Sequence, residues 1–357
     1  MAQARQRYVK DTTSTCDSRR VTAVGGKTTD HGVNFTNTAL VSRGVISLRR
    51  GNMFGQTPAR RMIPQTPHLQ DNSDPQIAAL LRKQWTLYSV TPLYKFSYEQ
   101  LQEYSRQLSH FIASERQKRF AVEAESNVTF EAKLFSLPAL KTTEQEQVAV
   151  LIQITQRPQV ATKNAGDKVV WMGCFCCSGG GDIFEEVMED FTCLPLFLVN
   201  GAKGFLDLVE TWLEKTFDCF FSPLHISPIS LSWMVAMWLG CNMDNYMVAT
   251  ELTFSVPCTP YPLDISYAIH PEDAKVLWDS IQSTQGEVRQ DEVDLFMECL
   301  YKHFHRHFKI HLSATRLVNV STAVASVHSD GKIKIFHAQH LIKVLALLTE
   351  LAISKLL

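Results

Sequence analysis

The sequence predicts an α+β fold: a curved, largely antiparallel mixed sheet flanked by helices, preceded by a disordered basic tail. Three observations predict it. Helical and strand-like segments follow one another without the regular βαβ alternation that builds a parallel sheet. Past the Asp330-Gly331 turn, Lys332 and Lys334 alternate with Ile333 and Ile335, a period of two that buries the isoleucines and points both lysines outward. Residues 1–73 carry no sustained apolar period and are dominated by Thr, Ser, Arg, Gly and Asn, so disorder is their expected state. The predicted organisation is a tail over 1–73 and a single domain over 74–357, with a helical start over 74–120.

Order is expected from Asp74-Pro75, an N-cap followed by proline at the first helical position, opening a helix through Leu80, Leu81 and Trp85. A short strand, Leu93 to Phe96, leads to Ser97-x-x-Gln100, a capping-box pattern ahead of a helix through Leu101, Tyr104, Leu108 and Phe111. Asn127 to Phe135, Val148 to Thr155 and Val169 to Cys177 favour strands, with a polar loop from Gln156 to Asp167. Phe205, Leu206, Leu208, Val209, Trp212, Leu213 and Phe217 recur at helical spacing, and Leu231 to Leu239 reads as a buried helix. Strands Tyr246 to Val256 and Leu263 to Ile269, helices Pro271 to Ile281 and Asp291 to His305, strands from Phe308 onward and a helix from Ala338 complete the reading.

The net charge of −1 hides an asymmetry. Residues 1–67 hold eleven Lys/Arg against three Asp, a balance of +8, so the remainder carries −9. Nine cysteines without a secretory signal argue for a reducing compartment rather than a disulfide framework. The apolar run Leu341 to Leu357 is broken by Lys343, Glu350 and Lys355 and is short of the roughly 20 residues of a membrane span. In such a chain the sequons at Asn34, Asn127 and Asn319 are chance matches. Thr57-Pro58 and Thr66-Pro67 flank Arg60-Arg61, an arrangement that suits proline-directed phosphorylation as well as a passive linker.

Few residues suggest chemistry. His303, His305, His307 and His311 invite a metal, yet His303 and His307 share a helical face while His305 points elsewhere, so a polar face capping a helix C-terminus is the better reading. Cys174 and Cys176 fall on one face of a strand and Cys177 on the other, as small hydrophobes do. Gly179-Gly180-Gly181-Asp182 lacks the Lys-Ser/Thr of a phosphate loop. Trp85, Tyr88, Tyr94, Phe96 and Tyr98 suit a core better than stacking on nucleobases, and Trp233 and Trp238 read the same way. No catalytic, metal or cofactor set emerges. What stands out is charge: between Lys302 and Lys343 seven Lys/Arg face one acid, Asp330. Arg306, Lys309, Arg316, Lys332 and Lys334 form a set suited either to a polyanion such as the DNA backbone or to a solvated edge strand.

The words KQWTLYSVTPLYKFSY (Lys83 to Tyr98), EDFTCLPLFL (Glu189 to Leu198), KTFDCFFSPL (Lys215 to Leu224), LSWMVAMW (Leu231 to Trp238) and AIHPEDAKVLWDS (Ala268 to Ser280), with the stretch Val293 to Phe336, resemble the vertebrate centromere protein L family from roughly Thr57 to Ser354. The resemblance implies a non-enzymatic inner-kinetochore subunit of the constitutive centromere-associated network, nuclear and at the centromere. It implies a heterodimer with centromere protein N, joined through related β-rich C-terminal parts, and contacts with centromere protein C, the H-I-K-M group and the linker DNA of the centromeric nucleosome. It implies no cofactor, membrane or small-molecule substrate. Carried onto the matched words ATRLVNVS and DGKIKIF, it places Arg316, Lys332 and Lys334 near DNA, with Lys309 and Arg306 as weaker candidates. The competing expectations are an interaction module for an acidic partner and an enzyme using Cys or His chemistry.

Overall fold

The computed structural model describes residues 20–24, 60–62, 75–119, 128–143, 146–158, 167–179, 190–241, 248–258, 261–284 and 286–356. In chain order the elements are β1 (Arg20–Val24), β2 (Arg60–Met62), α1 (Pro75–Ala78), β3 (Gln84–Val90), β4 (Leu93–Tyr94), α2 (Leu101–Arg119), β5 (Val128–Leu137), β6 (Ala149–Pro158), β7 (Lys168–Cys176), β8 (Phe191–Thr192), β9 (Leu196–Gly201) and α3 (Lys203–Phe217). There follow β10 (Phe221–Pro223), α4 (Pro228–Leu239), β11 (Thr250–Val256), β12 (Leu263–Ile269), α5 (Pro271–Ile281), β13 (Glu287–Arg289), α6 (Gln290–Phe308), β14 (Arg316–Ser321), β15 (Ala325–His328), β16 (Lys332–Ile335) and α7 (Ala338–Leu356). Among the described residues, twelve strands form one open sheet in the order β1-β12-β11-β14-β15-β16-β3-β9-β7-β6-β5, with β10 beside β3. Its pairings are antiparallel except β1 with β12, which gives the largely antiparallel mixed sheet of an α+β fold.

Strand alternation divides the apolar side chains between two cores. Along β7, Met172, Cys174 and Cys176 enter a core roofed by α4, α5, α6 and α7, while Trp171, Phe175 and the following Cys177 enter a second core roofed by α2 and α3. The first core runs beneath almost the whole sheet, from β6 to β12; the second stops at β3. Helix α4 is buried nearly all round, and Ser227 caps it by accepting the Ser230 amide at 3.0 Å ahead of Pro228. The aromatic group of the sequence lies in these cores: Trp85 is fully buried with its indole N–H on the Leu80 carbonyl at 2.8 Å, and Tyr88, Phe96 and Tyr98 pack on the second core.

The structure corrects several boundaries. The helix expected to run through Trp85 ends at Ala78; Arg82 takes a left-handed φ of 58° and Trp85 belongs to β3, because QWTLYSV alternates in burial and finds β16 and β9 as neighbours. Ser97 makes no side-chain cap; α2 is entered through a 3-10 turn, and the Ser97 amide donates to the Tyr104 hydroxyl at 3.3 Å. Helix α6 continues past His305 to Phe308, where Lys309 at φ 58° closes it by donating its amide to the His305 carbonyl. Strand β11 starts at Thr250 rather than Tyr246, which lies outside the described residues. Within the span read as tail, β1 and β2 are strands: Arg20–Val24 pairs with β12 and Arg60–Met62 with β13. The two Thr-Pro pairs lie outside the described residues.

One end of the sheet is closed by side chains. Ser105 and Ser109, one turn apart on α2, accept the amides of Leu134 and Ala132 on β5 at 2.9 and 2.8 Å. These hydroxyls supply what a neighbouring strand otherwise would, so the outer edge of β5 is no template for strand addition at those positions.

Candidate nucleic-acid interface

Over β14, β15 and β16, among the described residues, helices roof only one face of the sheet, whereas Thr253 of β11 and Ser266 of β12 are buried on the other face as well. Leu317, Val320, Val327, Ile333 and Ile335 point into the first core, and the intervening residues point the other way. Since the second core stops at β3, α2 and α3 do not extend over these strands. Register fixes the layout of this open face. Ser321 lies opposite Ser326, Ser326 opposite Lys334, and Lys334 opposite Gln84 on β3. Lys332 lies opposite Thr86, and Arg316 opposite Ser255 on β11. Lys334 and Arg316 sit on strands that lie about 10 Å apart with β15 between them, and Arg316 is five residues along β14 from Ser321, the residue in line with Lys334. Hydroxyls and amides lie beside the cations, with Glu251 of β11 opposite Ser321 at the far end of the row, so it is the part of the face over β14 to β16 that suits phosphate oxygens.

The turn beside it is stiff. Gly331 takes φ +81°, and a Cβ there would collide with the Leu224 carbonyl oxygen, so the Asp330-Gly331 pair read from the sequence is a structural requirement. Asp330 accepts from the Lys332 ammonium at 2.6 Å and lies 2.6 Å from His328 Nδ1. Burial alone would raise the Asp330 carboxyl; the hydrogen bonds and charges of Lys332 and His328 more than offset this and hold it below its ordinary value. Lys332 is thus already partnered, whereas Lys334 lies 5.7 Å from the centre of the Phe336 ring and Arg316 is exposed.

The basic set of the sequence is split by the fold. Arg316, Lys332 and Lys334 share the open face; Arg306 and Lys309 belong to the end of α6, which packs on the opposite face through Phe304 and Tyr301 against Tyr267 and Phe254. Lys302 pairs with Glu298 at 2.7 Å. The histidines follow the helical geometry, with the His303 and His307 rings 4.5 Å apart and His305 stacked on His311 instead. On the α3 side the open face turns acidic: burial, then Glu210 and Asp207, raise the Tyr88 hydroxyl, and burial with Glu214 and Asp207 pushes Glu210 up to about 7. Sequence reasoning missed Gln84, Thr86, Ser255 and Ser326 as members of the face, because their alternation is visible locally and their neighbours are not.

Nothing in the site resembles a nucleophile. Burial pushes the Cys174 thiol up to about 12, and burial followed by Glu146 and Cys193 does the same to Cys177. Among the described residues no three His, Cys, Asp or Glu side chains converge as metal ligands, and no helix is long and apolar enough to cross a membrane.

The profile of the Centromere protein L family matches residues 79–353. Centromere protein L of Homo sapiens is 58% identical over 311 residues, covering 87% of this chain and 90% of the relative. That of Gallus gallus is 57% identical over 307 residues, covering 86% and 89%. That of Danio rerio is 38% identical over 317 residues, covering 85% and 86%. This chain belongs to the centromere protein L family, a family of the nuclear centromere and kinetochore.

Proposed function

We propose that this chain is a non-enzymatic inner-kinetochore subunit that heterodimerises with centromere protein N and grips centromeric linker DNA without strong sequence preference. In that role it joins centromere protein C and the H-I-K-M group in the centromere-associated network. The observation that carries the DNA reading is the unroofed face with Arg316, Lys332 and Lys334 set among hydroxyls and amides. Lys309 and Arg306, on the other side of the sheet, reach DNA only if it wraps past the α6 end. The heterodimer reading is supported by membership of the centromere protein L family; at the ends of the sheet β5 is closed by Ser105 and Ser109 and β12 is paired with β1, so a partner strand would add beyond β1 or take its place. The raised thiols support a non-enzymatic role.

The test begins with co-expression with centromere protein N and size exclusion with light scattering, where a one-to-one complex is expected. Lys332→Glu with Lys334→Glu, and separately Arg316→Glu, are then compared in duplex binding across salt concentrations. Each phosphate contact removed flattens the logarithmic salt slope by about 0.9. An intact heterodimer with an unchanged slope in all variants refutes the DNA role; loss of binding to an acidic peptide instead would favour an acidic protein partner on the same face.

A further inference from the structure

Strand β2 contributes little backbone of its own, yet its arginines are held by three separate elements. It lies antiparallel on β13, with Arg61 opposite Val288 and Arg60 opposite Arg289. Arg61 is only 8% exposed. Its guanidinium lies over the Trp233 ring of α4, 5.1 Å from the centroid, and Nη1 donates to Glu350 Oε2 of α7 at 2.7 Å. Trp233 is itself fixed, its indole N–H donating to Gln290 Oε1 at the start of α6 at 2.8 Å. Arg60 pairs with the carboxylate of Glu287, a residue 7% exposed.

Each component requires a cation. Emptied, the site would lose the guanidinium partner of Glu287 and uncover the indole face of Trp233, which is unfavourable for the ring. The two demands fall to two arginines: Arg61 stacks on Trp233 while donating to Glu350, a combination suited to a planar guanidinium rather than a lysine, and Arg60 pairs with Glu287. The ligand comes from far along the chain, 227 residues from Glu287 and 289 from Glu350. A three-residue strand is too short to hold its place by backbone pairing alone.

We infer that the junction of α4, β13 and α7 is a binding site for an Arg-Arg peptide motif, filled in cis by Arg60-Arg61, and that it accepts the same motif in trans when the cis segment is removed. Filled, it fastens the chain ahead of the domain to the helical side of the sheet, opposite the cationic face. Of the eleven basic residues before Pro67, Arg61 is thereby buried away from any polyanion, while Arg60 stays exposed and is paired with Glu287. This inference stands independently of the DNA reading.

The probe is a fluorescein-labelled peptide of residues 56–66, titrated by anisotropy into the full-length chain, into R60A/R61A and into R60A/R61A/E350Q. Because a tethered occupant acts at an effective concentration on the order of millimolar, wild type is expected to bind the peptide at least about tenfold more weakly than R60A/R61A. Adding E350Q, at a half-exposed position, is expected to reverse most of that gain with the melting temperature kept. Equal affinity for wild type and R60A/R61A, or no binding to a folded R60A/R61A, overturns the inference. Should R60A/R61A not fold, trypsin cleavage after Arg60 and Arg61 supplies the readout. Slow cleavage in wild type and severalfold faster cleavage in E350Q is expected, and equal rates overturn the inference.

Discussion

Asp330→Asn is expected to strengthen DNA binding by the heterodimer, and the reason is local. The Asp330 carboxylate accepts the Lys332 ammonium at 2.6 Å and faces His328 at the same distance, so at neutral pH it cancels one of the three cations on the open face. The amide keeps the shape of the turn, set by Gly331 at φ +81°, but removes one negative charge and releases Lys332 for a phosphate. One additional neutralised phosphate steepens the logarithmic salt slope by about 0.9, which between 50 and 200 mM salt is about a threefold larger loss of affinity. The half-exposed pairs given up are worth at most about 1 kcal/mol each, so melting temperature is expected to fall only slightly. The assay is duplex anisotropy at several salt concentrations with D330N and D330N/K332Q side by side. An unchanged slope in D330N, or an increase that survives K332Q, refutes the idea that Lys332 is a held-back phosphate ligand.

Three further outcomes are expected. Ser105→Ala with Ser109→Ala leaves two β5 amides without their acceptors and is expected to cost about 1 kcal/mol each in urea unfolding and to promote self-association by light scattering; a variant as stable and monodisperse as its parent would contradict edge closure. Burial, with Lys343 and His337, pushes His340 down to about 4, so between about pH 6.5 and 4 the unfolded chain takes up the proton that the fold refuses. Stability is therefore complete above that window and falls through it by up to about 1.4 kcal/mol per pH unit; H340Q should remove this component, and an identical pH dependence in H340Q would reject it. A 56–66 peptide phosphorylated at Thr57 and Thr66, three residues before Arg60 and five after Arg61 in sequence, gains roughly −1.5 to −2 charges per site against a pocket that holds Glu287 and Glu350, and is expected to bind R60A/R61A severalfold more weakly; equal binding would argue against phosphorylation as a release signal.

How much of this was legible in the sequence depended on the range of the cause. The Lys332 to Ile335 alternation, the Asp330-Gly331 turn, the helix Pro271–Ile281 and the division of Cys174 and Cys176 from Cys177 follow from rules acting over a few residues, and each appears as read. Trp85 was misplaced because Gln84–Val90 becomes a strand only between β16 and β9, partners more than 100 residues away in sequence. The same limit governs the candidate site. Arg306, Lys309, Arg316, Lys332 and Lys334 are neighbours in sequence, yet α6 lies on one side of the sheet and β14 to β16 expose the other, and no local pattern states on which side a helix docks. The buried arginine escaped for a further reason: in a polar, aperiodic segment nothing marks Arg61 apart from Arg49 or Arg50 until Trp233 and Glu350 are brought beside it.

The two-core arrangement explains why the free surfaces lie where they do. A sheet this wide needs both faces covered unless one is polar, and here the covering ends at β3, where the outward residues change from Tyr88 and Val90 to Thr86, Gln84 and the lysines of β16. One edge is closed by α2 hydroxyls and the first core is roofed by four helices, with Arg61 inserted between two of them. An assembly partner that adds to the sheet at the β12 end has to displace β1 or pair beyond it, and a polyanion is directed to the face over β14 to β16. These two surfaces adjoin through β11, whose Ser255 lies opposite Arg316 on one side and Asp264 on the other. A partner strand that replaced β1 beside β12 would continue the same sheet. On the proposed function, the DNA affinity of the pair is expected to exceed that of this chain alone by the phosphates that the partner's strands add.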